Sequence, residues 1–393
     1  MKRLLLLGLL FNVVVLNAQS VDNVVRSVNH FSLRSYKEMS KSIENNNFVM
    51  SPMSVNMALQ MVMCGAKLRT YDELDSVLCK YENGHDVENS ARCLINEYNH
   101  IDICKLNIAN GVWVQKDYSV LPSYRNTLQQ SYGAKFCGVN FTKERDCRKA
   151  IKSINGWVAS KTQGKVSELV SKNDITADCR MVLVNAIYFK CNWESKFKKS
   201  DSAEGVFNTL GGEQKKVMFM TQEHNFLYSD DDEKQSIFMP YENSRFGMLL
   251  ILPRKGSFES VEKGLTADDV ANIMSNMGDE RVSVRMPKFK VESSCEMREM
   301  LKTLGIRDAF GVKADFSGIT GNRDLYLSKV LHKAIIEVGE EGTEAAAATA
   351  AVMLLKSAFI PDLKYFDADR PFIYFIVDTK TKAILFVGRY VTV

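Results

Sequence analysis

The chain contains 393 residues, of which 46% are hydrophobic and 25% are charged, and its formal net charge is +4. This composition is ordinary for a globular protein, and the length suffices for a sizeable core. The charge is too small to favour a nucleic-acid partner, and a basic run such as KFKKS at residues 196–200 is most simply a solvated face. No internal repeat, flexible linker or break in composition divides the chain.

The first eighteen residues have the features of a secretory signal peptide. Lys2 and Arg3 form a basic start, residues 4–16 are nearly all apolar, and Ala18 closes the segment. This pattern predicts cleavage after Ala18 and a single domain at residues 19–393. The apolar stretch is too short for a membrane anchor. We therefore expect a secreted, extracellular protein with no membrane span, or a periplasmic or cell-surface protein in a bacterium.

Helical patterns dominate the first part of the chain. Apolar spacing predicts helices over Val21–Met39 and Met53–Cys64, and Ser51 and Ser54 are suitable cap residues for the second helix. The stretch Thr70–Leu78 starts with a threonine that is followed three residues later by an acid. This spacing predicts a capping box at the start of a third helix.

Strand patterns dominate later. Met181–Lys190 is a continuous apolar run, as expected for a strand that is buried on both faces. Phe246–Pro253 and Arg281–Ser293 are also strand-like, and the C-terminus predicts a hairpin of Phe372–Asp378 and Ala383–Tyr390. Helices early and strands late, without regular βαβ alternation, predict an α+β fold.

Residues that could carry chemistry form no catalytic or metal-binding pattern. The sequence has no GxSxG, GxxxxGK[ST], GxGxxG or HExxH motif, and its five histidines stand far apart. The sequence does not exclude a Ser-His-Asp triad whose members meet only in the folded protein, but nothing in it marks a nucleophile. We therefore expect a protein that is not an enzyme, with no cofactor and no metal.

The nine cysteines are widely spaced and odd in number, with no CxxC or Cys/His ligand pattern. A secreted chain favours pairing, but a chain of this length does not need disulfides to fold. We interpret most of them as small buried hydrophobic residues, and the sequence assigns no disulfide. Asn140 starts a glycosylation sequon, which matters only in a host that glycosylates.

One segment near the C-terminus fits neither a surface helix nor a membrane span. Between Val338 and Phe359 the chain reads VGEEGTEAAAATAAVMLLKSAF. Alanine favours helices, but a surface helix should carry a polar face at helical spacing, which residues 345–355 lack. The run is too short to cross a membrane and ends on a lysine. Its composition avoids bulk.

Several separated motifs resemble the serpin family over about Val21 to Val393. The stretch NNFVMSPMSVNMALQM at 46–61 resembles N-F-x-x-S-P-x-S at the start of the family's second helix. The stretch LVNAIYFKCNWESKF at 183–197 resembles L-V-N-A-I-Y-F-K-G-x-W-x-x-x-F, with Cys191 replacing the usual glycine. Further matches, in family order, are INGWVASKTQGKVSELV, MPKFKVES, LGIRDAFGVKADFSGI, LSKVLHKAIIEVGEEGTEAAAATA, RPFIYFI and ILFVGRY.

The resemblance implies a serpin fold with three β-sheets, about nine helices and an exposed reactive centre loop at about residues 340–361. It also implies a suicide-type inhibitor of serine endopeptidases. A target protease cleaves the loop and forms an acyl-enzyme, and the loop then enters the largest sheet as a new strand before deacylation. We expect serine proteases as partners and a monomeric protein.

The family register divides the odd segment into a hinge and a reactive bond. An inserted strand points alternate side chains to opposite faces, and the register turns the small or β-branched side chains of Thr343, Ala345, Ala347, Thr349 and Ala351 inward. Gly342 supplies backbone freedom at the start of the hinge. The hinge residues are Gly342, Thr343, Glu344, Ala345, Ala346, Ala347, Ala348 and Thr349.

Counting from Gly342 places the reactive bond between Lys356 as P1 and Ser357 as P1′. A lysine there favours an enzyme with an acidic specificity pocket, such as trypsin. A shifted register would use Met353–Leu355 and favour elastase-like, chymotrypsin-like or cysteine proteases. The flanking specificity residues are Val352, Met353, Leu354 and Leu355.

The motifs carry over two further groups of residues. A polar cluster lies beneath the opening point of the sheet, where buried groups must hydrogen-bond to one another; it comprises Ser51, Ser54, Asn185 and His332. The region where the loop first inserts comprises Trp193, Lys288 and Glu340, of which the last two are expected to form an ion pair. Helical segments near Tyr81–His100 lack a basic face, so we expect no heparin site.

A serpin that carries a ligand or acts as a chaperone without inhibiting is the alternative function. The small hinge residues favour the inhibitor, because a loop that never inserts would not need them.

Overall fold

The computed structural model describes residues 2–81, 92, 98, 104–242, 244–343 and 362–393, with side chains from Val21 onward. None of the helices in this part of the chain is both long and apolar enough to span a membrane. Residues 2–18 of the predicted leader form the start of the first helix. Nine α-helices lie in the described residues: α1 Lys2–Ile43, α2 Pro52–Met63, α3 Leu68–Leu78, α4 Pro122–Tyr132, α5 Glu144–Lys161, α6 Phe258–Gly264, α7 Ala267–Asn276, α8 Arg298–Leu304 and α9 Ser317–Thr320.

Strands in the same residues form two hydrogen-bonded sheets. The strands are β1 Phe48–Met50, β2 Lys105–Gln115, β3 Lys135–Val139, β4 Met181–Asn192, β5 Ala203–Asn208, β6 Gln214–Asp230, β7 Lys234–Pro240, β8 Phe246–Pro253, β9 Gly278–Pro287, β10 Phe289–Glu296, β11 Leu327–Gly339, β12 Gly342–Thr343, β13 Lys364–Asp367, β14 Phe372–Asp378 and β15 Ile384–Tyr390. The six-stranded sheet has the order β10-β11-β12-β4-β2-β3, and β11 also pairs with β4. The nine-stranded sheet has the order β1-β15-β14-β8-β7-β6-β9-β13, with β5 on β6. The α+β fold class is confirmed.

The resemblance implies three β-sheets, and the described strands form two because two strand ladders share β6. Leu227–Asp230, at the end of β6, pairs with β7, and β7 and β8 connect it to the C-terminal hairpin. Phe219–Tyr228 pairs with β9, and the start of the strand pairs with β5. Because this 17-residue strand belongs to both ladders, they form one continuous nine-stranded sheet.

Arg281–Ser293 is not one strand, so that sequence prediction was wrong. The stretch divides at Lys288 into β9 of the nine-stranded sheet and β10 of the six-stranded sheet. The Lys288 N–H still donates to the Met218 carbonyl, but from Phe289 onward the chain pairs with β11. An alternating pattern marks both halves as half-buried strands and does not show that they belong to different sheets.

Thr70 is not a helix cap, which corrects a second prediction. α3 has Lys67 as its N-cap residue, so Thr70 lies inside the helix. Thr70 is buried and its Oγ1 accepts the Asp315 N–H at 2.9 Å. The carboxylate of Glu73, three residues on, accepts the Asp308 N–H at 2.8 Å. Both groups of the expected capping box therefore have tertiary partners instead.

The helix α2 is buried along its whole length and contacts both β4 and β15. Ser51 is its N-cap residue, and its side chain accepts the Ser54 N–H. Pro52 occupies the first turn, where its missing N–H costs nothing and its fixed φ suits a helix. This arrangement places the two serines directly beneath the six-stranded sheet.

Candidate functional site

The six-stranded sheet forks between β4 and β11. The two strands pair in parallel from Met181 opposite Leu327 up to Tyr188 opposite Ile335, where their ladder stops. Beyond this point β12 lies between them and pairs antiparallel with both. A cavity of about 30 Å³ lies at the fork and is lined by Lys165, Tyr188, Phe189, Lys290, Ile335 and Glu337. The fork is therefore a gap one strand wide that β12 occupies at its open end.

β12 consists of Gly342 and Thr343, the first two residues of the predicted hinge. Thr343 is fully buried, and its hydroxyl lies 2.6 Å from the hydroxyl of Tyr241. Gly342 has a φ of +149°, and a Cβ built on it would lie 2.2 Å from the carbonyl oxygen of Cys191. Any larger residue would therefore have to leave β4 and adopt a strained backbone.

Glu340 lies at the base of the loop and is held by three groups. Lys288 Nζ forms an ion pair with its carboxylate, and Ser202 Oγ donates to the same oxygen at 2.8 Å. The Phe197 N–H donates to its carbonyl at 2.9 Å. Burial alone would raise the pKa of Glu340, but the bonds from Lys288 and Ser202 outweigh it and hold that pKa below its usual value. The structure thus brings together the pair that the motifs suggested.

Trp193 connects the end of β4 to the same segment. Its indole N–H donates to the Gly339 carbonyl at 2.9 Å, and its backbone N–H donates to the Glu341 carbonyl at 2.8 Å. Its ring stacks on Tyr241, with ring centroids 4.5 Å apart and planes 7° apart. Since Tyr241 also holds Thr343, one aromatic pair contacts both the loop base and the hinge.

The basic run at 196–200 takes part in this site, although the sequence suggested only a solvated face. Lys196 Nζ lies 3.2 Å from the carboxylate of Glu341, and Lys199 Nζ lies 4.0 Å from it. The two glutamates that precede Gly342 are therefore both paired with lysines from other elements. No sequence pattern pointed to this pairing, because the partners are far apart in the chain.

Beneath the fork, the four residues of the predicted polar cluster meet. His332 and Asn185 are directly opposite each other in the ladder of β11 and β4. His332 Nδ1 lies 2.6 Å from Asn185 Oδ1, and His332 Nε2 accepts the Ser51 N–H at 3.1 Å. The Asn185 amide donates to the Ser54 carbonyl at 3.1 Å. All four residues are almost completely buried.

The hydrogen bonds determine the protonation state of His332. Because a backbone N–H can only donate, Nε2 must carry a lone pair, and the proton therefore lies on Nδ1 and is donated to Asn185. Burial lowers the pKa of His332 to about 3. The ring is thus neutral across the physiological range.

Asn110 is a fifth member of the polar cluster. The sequence did not predict it. Its Oδ1 accepts from the Asn185 amide at 2.6 Å, because β2 places Asn110 directly opposite Asn185. The available signal is an asparagine in the middle of a strand whose last seven residues are buried. Tyr241 was missed as well, and nothing in its neighbourhood in the sequence marks it.

Cys191, which replaces the family's glycine, forms a disulfide with Cys104, and their Cα atoms are 4.6 Å apart. The pairing joins the end of β4 to the residue before β2. Among the other cysteines, Cys79, Cys147 and Cys179 are buried, as expected for small hydrophobic residues.

The rest of the predicted loop lies outside the described residues, as does most of Tyr81–His100. The description resumes at Asp362, and β13 then pairs with β9 at the edge of the nine-stranded sheet. The predicted residues outside the description are Glu344, Ala345, Ala346, Ala347, Ala348, Thr349, Val352, Met353, Leu354, Leu355, Lys356 and Ser357.

Comparison with known proteins finds relatives along nearly the whole chain. Serpin B6 of Pongo abelii is 38% identical over 94% of this chain and 99% of its own length. Leukocyte elastase inhibitor of Xenopus tropicalis is 33% identical over 94% of this chain and 99% of its own length.

Solved structures agree with these relatives. The native state of the thermophilic serpin tengpin superposes with a TM-score of 0.85 at 30% identity, over 94% of each chain. Thyroxine-binding globulin in complex with thyroxine superposes with a TM-score of 0.84 at 27% identity, over 94% of this chain and 98% of that one. The sequence profile of the family described as "Serpin (serine protease inhibitor)" matches residues 26–393. This chain belongs to the serpin family.

Proposed function

We propose that the protein is a secreted suicide-type inhibitor of serine endopeptidases. The observation that supports this most is the occupied fork between β4 and β11. Gly342 and Thr343 already pair with both strands, so a strand that continued from Thr343 would run along the gap. Extension of β12 from its C-terminal end would continue the same two ladders.

The hinge sequence suits such an extension. After Thr343 the chain reads EAAAATAA, so each second position from Ala345 to Ala351 is small or β-branched. Side chains at these positions would turn toward the core on the same side as the buried Thr343. Bulk or charge there would oppose insertion and leave the acylated protease time to deacylate.

The reactive bond of this inhibitor is Lys356–Ser357, and the target is a trypsin-like protease. The support is the count from Gly342 and the match between a cationic P1 side chain and an acidic pocket. Use of Met353–Leu355 instead would direct the inhibitor to elastase-like, chymotrypsin-like or cysteine proteases. The name of one relative, leukocyte elastase inhibitor, supports this second assignment.

Secretion is part of the proposal and rests on the leader at residues 1–18. N-terminal sequencing of the protein recovered outside the producing cells should read from Gln19. A protein that starts at Met1, or that stays in the cytoplasm, would remove this part of the proposal and leave the inhibitory part intact.

Incubation with trypsin, followed by a denaturing gel, tests the inhibitory function. We expect a covalent complex that survives denaturation and loss of trypsin activity in proportion to the protein added. The released C-terminal fragment should start at Ser357 when its N-terminus is sequenced. A clipped protein together with fully active trypsin would reject inhibition of this enzyme class.

The variants Lys356→Ala and Lys364→Ala separate the P1 assignment from general effects of charge. Lys364 lies in β13, beyond the loop, and its replacement serves as the matched control. Lys356→Ala should abolish the trypsin complex but keep any complex with elastase, whereas Lys364→Ala should behave as the parent does. A trypsin complex that is unchanged in Lys356→Ala would reject the P1 assignment.

A ligand carrier is the second candidate, because the chain superposes on thyroxine-binding globulin in complex with thyroxine. The hinge composition argues against it, since a carrier has no need of a loop that fits into the sheet. The trypsin experiment distinguishes the two, because a carrier of this kind would be cleaved without trapping the enzyme.

A further inference from the structure

The Cys104–Cys191 disulfide stands in the same row of residues as the hinge. Lys105 pairs with Lys190 in the antiparallel ladder of β2 and β4, which puts the preceding Cys104 opposite Cys191. Cys191 pairs on its other side with Thr343 of β12, which in turn pairs with β11. The disulfide and the hinge are therefore direct neighbours across β4.

This bond is the last link between β2 and β4 in the described residues. Their backbone ladder ends at the Lys105–Lys190 pair, whereas β4 continues to Asn192. The part of β4 that receives β12 is Cys191 and Asn192, which lies beyond the end of that ladder. On the side facing β2, the disulfide holds Cys191, and the residues after it are held by a bridge between Trp193 and Tyr241, in which the Glu242 N–H donates to the Asn192 carbonyl at 2.8 Å.

The hinge depends closely on where this end of β4 lies. Gly342 packs so tightly on the Cys191 carbonyl that there is no room for a Cβ. A small displacement of Cys191 would therefore break the fit of β12. The same displacement would also move Trp193, two residues on, whose backbone N–H holds the Glu341 carbonyl.

We propose that the Cys104–Cys191 disulfide is a redox-dependent lock that holds the end of β4 in the position that receives the hinge. The proposal rests on the proposed function, in which the loop inserts as a strand. With the bond formed, Thr343 stays docked between β4 and β11. With two thiols in its place, Cys191 moves away from β2, and Thr343, which pairs with Cys191, leaves the fork.

Formation of the lock is a two-electron oxidation by thiol–disulfide exchange. The Cys104 and Cys191 thiols lose two electrons and two protons, and an exchanging disulfide accepts both and leaves as two thiols. The two cysteines are 1% and 2% exposed, so a reductant reaches the formed bond only when this part of the sheet opens. The lock is therefore set when the chain folds in an oxidising compartment, which agrees with the proposed secretion.

Hydrogen exchange of the full chain tests the lock. The double variant Cys104→Ser, Cys191→Ser represents the dithiol state, and Cys137→Ser of β3 is the matched control because it leaves the disulfide in place. We expect exchange in peptides covering 190–193 and 339–343 to be at least about tenfold faster in the double variant, since their backbone hydrogen bonds would open locally. The control should exchange as the parent does.

A second measurement keeps the test independent of how well the double variant folds. Uptake of a synthetic peptide with the sequence of residues 343–354 should be faster in parent protein that has been reduced and alkylated than in oxidised protein, because Thr343 no longer occupies the fork. A second double variant, Cys104→Ala with Cys191→Gly, restores the family's glycine and should behave like the reduced protein.

The proposal is overturned if exchange near the hinge and peptide uptake are the same with and without the bond, which would leave the disulfide as a staple against global unfolding. It is equally overturned if mass spectrometry of the oxidised protein finds Cys104 and Cys191 as thiols. Failure of the proposed function is a different result, namely no covalent trypsin complex in either redox state. Hydrogen exchange detects the lock without any protease, so the two failures are distinguishable.

Discussion

An ordinary histidine becomes charged in mild acid, but His332 lies in surroundings that keep its ring neutral. It is fully buried beneath the fork, its Nε2 accepts a backbone N–H, and no described contact offers it a counter-charge. Protonation of Nε2 would break the bond to Ser51 and place a charge in the core. The two strands that the proposed loop insertion would separate therefore meet at a residue whose neutral state is required.

The free energy of unfolding should fall as the pH falls from 7 to 5. Burial lowers the pKa of His332 to about 3 in the folded protein, so between that value and its usual pKa only the unfolded chain binds the proton. Stability is therefore complete above the unfolded pKa and is lost as the pH drops below it. One histidine contributes a loss of about 2 kcal/mol at pH 5.

Urea unfolding at both pH values measures this loss. His332→Asn should lower stability at pH 7 but reduce the additional loss at pH 5, because no proton is taken up at this position. The exposed His224 provides the control, and His224→Gln should keep the full dependence on pH. An unchanged pH dependence in His332→Asn would show that other groups cause it.

At the scale of elements, β12 matters most because it is only two residues long and yet connects two long strands. It pairs with β11 and β4, and the hydroxyl of Thr343 reaches Tyr241 in the core. A strand this short has little stability of its own. It persists because the lysine pairs of Glu340 and Glu341 and the hydrogen bonds of Trp193 hold the chain before it in place.

Under the proposed function, Thr343→Arg should convert the protein from an inhibitor into a substrate of trypsin. An arginine at this position would have to enter a fully buried site without a partner, which costs several kcal/mol and slows insertion. Since about 1.4 kcal/mol changes a ratio tenfold, the number of inhibitor molecules consumed for each trypsin inhibited should rise more than about tenfold.

Thr343→Val is the matched control for this substitution. Valine keeps the β-branched shape and loses only the hydrogen bond to Tyr241, so inhibition should continue at nearly the parent stoichiometry. Titration of trypsin activity, with cleaved and complexed protein counted on a gel, gives both values. Parent stoichiometry in Thr343→Arg would mean that the hinge register is wrong.

For the whole molecule, the fork implies a second state in which β4 and β11 accept a complete strand. The parallel ladder below the fork runs from Leu327 to Ile335, and it would have to be replaced by two antiparallel ladders to the inserted loop. The new strand would add backbone hydrogen bonds on both sides and bury small apolar side chains, so we expect the inserted state to be the more stable one.

Cleavage of the reactive loop should therefore raise the midpoint of thermal unfolding. We expect a rise of several degrees, since an unfolding entropy of about 2.1 cal/mol/K for each residue means that each kcal/mol gained shifts a chain of 393 residues by roughly 1 °C. Circular dichroism of the parent protein before and after limited cleavage measures the shift. Cleaved Thr343→Arg should show a smaller shift or none, and a parent protein without a shift would contradict insertion.

Local patterns predicted the long elements well. The strand Phe246–Pro253 has the predicted bounds, and the C-terminal hairpin differs by one residue at Ala383. Continuous apolar runs and alternation depend on which faces a strand buries, and that information is present within each segment. The polar cluster and the loop-base pair came from motif resemblance, because their members are distant in the chain.

Features that depend on the pairing of distant segments escaped the sequence. Three of them depend on which strand or loop lies next to which. They are the division of Arg281–Ser293 into two strands at Lys288, the hydrogen bond from Asp315 to Thr70, and the position of Asn110 opposite Asn185. The disulfide escaped for the same reason, since nine cysteines allow many pairings and only the β2–β4 register brings Cys104 to Cys191.

By itself, the sequence determined the α+β class and the place of the main strands along the chain, because these follow from local composition and period, and the family resemblance assigned the small residues to a hinge. The tertiary structure alone decided that the sheet forks above Ile335 and that Gly342 and Thr343 lie in the fork. It also decided that the Cys104–Cys191 disulfide lies next to these two residues. The physical reason is that backbone hydrogen bonds between strands carry no side-chain signature, so the partner of each strand is defined only when the chain has folded.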